Sequence, residues 1–294
     1  MIITTSEEIR NLTGSYYANN DFSKIENIVK GVEQELCGMI GIDDLSGLTS
    51  DALLAAKQAI AFMASMRYFR LNDISHEHEG RKVKIDKENE ARPFEWQLAR
   101  DDRAHLEEYY RALDRLIGAL QDEPQFKESD IYKRQQTLIV TTADTLAWLT
   151  GADNSPWLYL RLVPFLAESQ RFVEKAFGDH LTPDGFGDIF ASTDTITYAA
   201  QKAVALGAIA LMGRRLSLQA MPYGLMKIFE SDGGGNRKEA AALDRLDDYL
   251  KHLSNEQQYW LNEMKHLRDI ASDKEQVTHL QMPENDPQNK YIRL

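Results

Sequence analysis

One stretch of this chain returns further along it. Residues 2–14 read IITTSEEIRNLTG and residues 139–151 read IVTTADTLAWLTG, with six of thirteen positions identical at an offset of 137 (139 against 2). At the same offset Ile25, Val29, Leu36, Ile40 and Gly41 fall on Leu162, Leu166, Val173, Phe177 and Gly178. The second copy then carries seven extra residues, and the offset becomes 144. From there Ala55–Arg70 aligns with Ala199–Arg214, with six of sixteen positions identical. Gly80 meets Gly224, and Glu95 meets Glu239. Two alanine-rich helices could resemble each other by composition alone, but composition does not explain the first block. A repeat of this period is a supersecondary unit met twice, and it constrains the fold more than any single motif.

The repeat divides the chain. Copy one is expected over 1–120 and copy two over 138–270. Residues 121–137 (QDEPQFKESDIYKRQQT) are polar, contain Pro124, and read as a linker. Residues 271–294 carry Pro283 and Pro287, lack apolar periodicity, and read as a C-terminal arm.

Within each copy the elements follow from local signals. Thr5 and Glu8 have capping-box spacing before a short helix that Gly14 should stop, and Thr142 and Gly151 keep the cap and the stop. A second helix is expected at 21–40 and at 156–177. In the first copy Ile25, Ile28, Val29, Val32, Leu36 and Ile40 make one apolar stripe. A third helix is expected at 51–70 and 196–215. It is apolar on nearly every side, which marks a central helix, and its alanines permit close approach. Ala59, Ala64, Ala203 and Ala208 should therefore be buried.

Short extended pieces follow. Val83 and Ile85 alternate with Lys82 and Lys84, and Met226–Phe229 precede a glycine-rich turn, which suits a short β-hairpin in each copy. A long helix closes each copy, with Leu106, Tyr109, Tyr110, Leu113, Leu116, Ile117 and Leu120 as its stripe in the first. The fold class is mostly α: two tandem copies of a roughly four-helix unit. Tyr16, Tyr17, Phe94, Trp96, Trp157 and Trp260 sit in polar surroundings and suit either contacts between copies or subunits, or ordinary core filling.

Charge and cysteine usage limit function. With 34 Lys and Arg against 46 Asp and Glu, the formal charge is −12, the wrong sign for a surface that coats nucleic acid. Cys37 is the single cysteine, so neither an internal disulfide nor a cysteine-rich zinc site is available. The N-terminus has no basic n-region followed by an apolar stretch, and a signal peptide is not expected. No run of about 18 apolar residues occurs; the nearest, Thr197–Gly213, is broken by Gln201 and Lys202, and no membrane span is expected.

Candidate chemistry is sparse. His76-Glu77-His78-Glu79 could place two histidines on one face of a strand, but copy two has Ala220-Met221-Pro222-Tyr223 there, so a solvated loop is the expectation. Gly233-Gly234-Gly235 lacks the Lys-Ser/Thr pair of a phosphate loop. Asp184-Gly185-Phe186-Gly187-Asp188 lacks the ligand spacing of a calcium loop. Cys37 beside Leu36 reads as a packed thiol. The expectation is no enzyme, no catalytic residue, no cofactor and no metal.

The order of elements, with Ile3-Thr4-Thr5-Ser6-Glu7-Glu8-Ile9 at the start, Gly41 and Gly178 closing the second helix, and Pro222-Tyr223-Gly224 after the apolar helix, resembles the head–tail connector proteins of tailed bacteriophages, also called head-completion or adaptor proteins. Copy one departs from the pattern, with His78 where the proline would stand and only Gly80 retained. Asn72-Asp73-Ile74-Ser75-His76, Gly80-Arg81-Lys82-Val83 and Pro93-Phe94-Glu95-Trp96 also resemble a family encoded in phages and prophages of Bacteroidetes, over nearly the whole chain.

The resemblance implies a virion structural protein of the neck, made in the bacterial host cytoplasm. It would form a ring beneath the portal, extend the DNA channel and dock the tail. Its partners would be itself (twelve copies, or six if the two copies lie side by side), the portal protein, and tail or neck proteins. DNA would pass without sequence-specific binding, and no membrane is involved. Leu280, Met282, Tyr291, Ile292 and Leu294 are the candidate oligomer or partner contacts. The competing readings are a helical interaction or regulatory protein acting as monomer or dimer, and an enzyme with dispersed catalytic groups.

Overall fold

The computed structural model describes residues 1–14, 21–72, 75–77, 80–82, 95–183, 195–216, 227–230, 237–240 and 243–278. It is mostly α-helical. The helices are α1 (Ser6–Thr13), α2 (Glu26–Ile40), α3 (Ser50–Asn72), α4 (Glu95–Leu120), α5 (Pro124–Lys127), α6 (Asp130–Gln135), α7 (Ala143–Thr150), α8 (Pro156–Phe177), α9 (Thr195–Leu216) and α10 (Leu243–Thr278). A 3₁₀ turn over Phe22–Lys24 precedes α2. Among the described residues there are two antiparallel strand pairs. β1 (Ser75–Glu77) pairs with β2 (Gly80–Lys82), and β3 (Lys227–Glu230) pairs with β4 (Arg237–Ala240). The first pair begins before the Val83–Ile85 segment expected from alternation, which lies outside the described residues.

Local chemistry sets the helix ends. Thr5 Oγ1 accepts the Glu8 amide at 3.1 Å, and Glu8 Oε2 accepts the Thr4 amide at 3.0 Å, so the orphan donors of α1 are met from both sides. At α7, Thr142 Oγ1 accepts the Thr145 amide at the same 3.1 Å. Pro156 opens α8, where its missing N–H costs nothing. Asp114 Oδ1 accepts both Ser155 Oγ and the Trp157 amide, and Ser155 Oγ accepts the Leu158 amide. Pro164 lies inside α8 and removes one bond to the carbonyl four residues back.

Among the described residues, positive φ occurs at Gly14, Gly41, Gly151 and Gly178. These form two pairs, each separated by the repeat offset of 137, and each follows the end of a helix. A Cβ at Gly178 meets open space, whereas one at Gly41 would press on Ile131 Cδ1 at 3.2 Å. Gly178→Ala is expected to cost about 1–2 kcal/mol from backbone strain alone, and Gly41→Ala more, both read by urea unfolding.

Burial follows the same correspondence. Ile3 and Val140, Ile25 and Leu162, Val29 and Leu166, and Ala56 and Ala200 are pairwise without exposure. Ala59, Ala64, Ala203 and Ala208 are all fully buried, as the apolar pattern of α3 and α9 predicts. One long-range bond also recurs: the Ile2 amide donates to Glu33 Oε2 (3.1 Å), and the Ile139 amide to Gln170 Oε1 (3.0 Å).

The chain forms two compact units. The first comprises residues 1–137, 141–147 and 153–163; the second comprises 138–140, 148–152 and 164–294. In the first, α4 lies along α3, and α1 and α2 also pack on α3. The stretch 121–137, expected as a polar linker, instead carries α5 and α6, and Phe126 is fully buried in the core of this unit. In the second, α10 lies along α9. The arm expected from residue 271 begins as a continuation of α10, which runs through Thr278.

By length and composition alone, Ile196–Arg215 of α9 is long and apolar enough to cross a membrane. Most of it is buried inside the protein. The two polar residues have partners there: Gln201 Nε2 donates to the Ile139 carbonyl, and Lys202 Nζ to the Leu149 carbonyl.

Candidate functional site

Leu280, Met282, Tyr291, Ile292 and Leu294 lie outside the described residues. So do His78 and Glu79, the loop 184–188, Gly233–Gly235 and Pro222–Gly224. His76 and Glu77 form part of β1. Among the described residues no group of three His, Cys, Asp or Glu side chains is placed to hold a metal ion.

Cys37 is half-buried on α2 beside the core of the first unit. Burial pushes its thiol pKa up, and the nearby Glu33, Asp44 and Asp43 carboxylates push it further. The thiolate is the nucleophilic form, and this environment disfavours it. His105 on α4 is buried between the edges of Phe62 and Phe69, with Nδ1 3.0 Å from the Asp101 carbonyl oxygen. It fills space in the core of the unit.

Two tyrosines have strongly disfavoured phenolates. Burial, and then Tyr110, push Tyr109 up to about 12, and burial pushes Tyr159 up as well. Unfolding releases these protons at the ordinary pKa near 10. The unfolded state therefore binds fewer protons than the folded state between about pH 10 and 12, and stability falls across that window. An ultraviolet titration of the folded protein should show Tyr109 ionising at a higher pH than an ordinary tyrosine. Tyr109→Phe should flatten that alkaline loss.

Of the expected aromatic contacts, Trp157 is buried in the first unit, with the Arg161 guanidinium over its ring at 5.6 Å. Trp260 is half-buried, edge-on to Tyr198, and Trp96 is exposed. Tyr16, Tyr17 and Phe94 lie outside the described residues.

The surfaces of the two copies differ at corresponding positions. In the first, Arg67 on α3 grips Glu35 on α2 through two hydrogen bonds, of 2.8 and 2.7 Å. The guanidinium hydrogen bond holds the Glu35 carboxyl below its ordinary range, against burial. In the second, Phe172 on α8 stands at the place of Glu35, and Leu211 on α9 at the place of Arg67. Phe172 is 52% exposed, unusual for phenylalanine, and Leu211 is half-buried.

The two-pronged α8–α9 ion pair has moved one helical turn from these positions, to Arg215 and Glu168, at 2.6 and 2.8 Å. One turn from each of its members therefore lies an apolar side chain, Phe172 or Leu211. Half-buried Phe165 and Ala176, seven residues before Phe172 and four after it, lie on the same face of α8, with the paired Glu168 between Phe165 and Phe172 and exposed Arg171 and Lys175 beside Phe172. Sequence reasoning missed this face, although setting the two copies side by side exposes it: a charged pair in one has an apolar pair as its counterpart.

A strip of this kind, apolar beside charged side chains, suits a contact with another polypeptide segment. No protein-family model, no curated protein and no solved structure matches the chain.

Proposed function

We propose that the protein is a structural component of a phage virion, a head–tail connector that forms a ring beneath the portal, extends the DNA channel and docks the tail. The reading rests on the resemblance in element order, and one observation carries it furthest. The succession of a threonine-capped short helix, a glycine-stopped amphipathic helix and a buried alanine-rich helix occurs twice, as α1–α2–α3 and α7–α8–α9. An assembly role of this kind needs surfaces and no catalytic group. A formal charge of −12 suits a channel wall to which DNA does not adhere.

Twelve chains, or six with both copies side by side, would close such a ring by head-to-tail contacts, in which different surfaces meet on neighbouring subunits. The test is co-purification with the portal protein and imaging of intact particles. The expected result is density for this chain in a ring at the portal vertex. Mature virions that lack the protein yet carry attached tails would overturn the proposal.

A further inference from the structure

We propose that the apolar strip of the second unit, centred on Phe172 and Leu211, is the docking site of the chain's own C-terminal segment, residues 279–294, within the same molecule. Three observations converge on that occupant.

The first is the comparison between the copies. The corresponding position in the first copy is closed by the Glu35–Arg67 ion pair, which suits contact with water. The second copy has an exposed phenylalanine and a leucine there, although its helices bury the same core positions. The difference is confined to the surface, where packing within the helices does not require it. An exposed aromatic beside other apolar side chains gains by being covered.

The second is reach. Arg268 on α10 donates to the Phe177 carbonyl and stacks on the Phe177 ring at 4.7 Å, which pins α10 to the end of α8. From Arg268 to Thr278 the helix advances about 15 Å, and from Phe177 back to Phe172 about 7–8 Å. Residues 279–294 span about 50 Å when extended, so they reach the strip from Thr278 with chain to spare.

The third is a supply of apolar anchors. The segment carries Leu280, Met282, Tyr291, Ile292 and Leu294, with Glu284 and Asp286 balanced by Lys290 and Arg293, so apolar contact and not net charge would hold it. A segment with these anchors lacks the periodicity to bury them by itself; on the strip they meet apolar side chains.

The experiment uses the full chain with benzoylphenylalanine replacing Phe172, irradiated and then digested for mass spectrometry. The expected adducts join position 172 to peptides from 279–294, in a product that migrates as a monomer. Adducts in a covalent dimer, or adducts confined to other peptides, overturn the proposal.

A second measurement guards against a poor cross-linker. The double variant Phe172→Glu with Leu211→Arg installs the pair that the first copy already carries at these positions, so the helices should fold unchanged. Hydrogen exchange of the amides in 279–294 is expected to be at least tenfold faster in this variant than in the parent chain, with α9 protection unaltered. Equal exchange in the two proteins overturns the proposal.

Discussion

Phe126→Ala is expected to destabilise the first unit by about 3–5 kcal/mol, the range for truncating a large buried aromatic side chain. Phe126 is fully buried on α5, with the Tyr132 ring edge-on at 5.7 Å. Its surroundings are tied down by polar contacts as well. The Glu123 carboxylate is buried and accepts the Thr49 amide at 2.8 Å, and Ser129 Oγ accepts the Tyr132 amide at the start of α6. The alanine variant leaves a cavity that these fixed neighbours can close only in part. Urea unfolding followed by circular dichroism measures the effect. A residue in a solvated linker would change stability by less than about 0.5 kcal/mol, so the outcome separates a linker from a core element.

The second large effect is expected at the centre of the other unit. Ala203 on α9 has no exposure, and a methyl group at Gly207, one turn further on, would press on the Gln257 and Ser169 side chains. Ala203→Leu therefore inserts volume into a closed site, and should cost about 1–3 kcal/mol. Differential scanning calorimetry should show a lowered Tm for the variant. An unchanged Tm would mean that α9 is not the packed centre of this unit. Ala59→Leu on α3 is the matching change in the first unit, and comparable losses are expected because both sites are equally closed.

The features readable from the sequence are those governed by short-range chemistry. Thr5 and Thr142 cap because a hydroxyl three residues ahead of an amide can always reach it. Gly14, Gly41, Gly151 and Gly178 stop helices because the left-handed conformation after a helix costs glycine least. The apolar stripes of α2 and α4, and the all-round apolar character of α3 and α9, announce which faces are buried before any neighbour is known. The Ile2–Glu33 and Ile139–Gln170 bonds stand at the same offset of 137 as the matching sequence blocks.

Tertiary structure decided what depends on distant neighbours. Phe126 is a lone aromatic in a polar stretch, and neither periodicity nor composition marks it; only the space left within the first unit makes it core. Residues 271–278 show no apolar stripe, yet they continue α10, since a helix already nucleated and packed along α9 adds each further residue at small cost. The boundary of the compact units departs from the boundary of the sequence repeat, because residues 153–163 belong with the first unit while 164–177 belong with the second. Phe172 stands in an apolar-rich helix where sequence alone does not tell a buried side chain from an exposed one: adjacent Val173 is fully buried while Phe172 faces water, because the two point to different sides of α8.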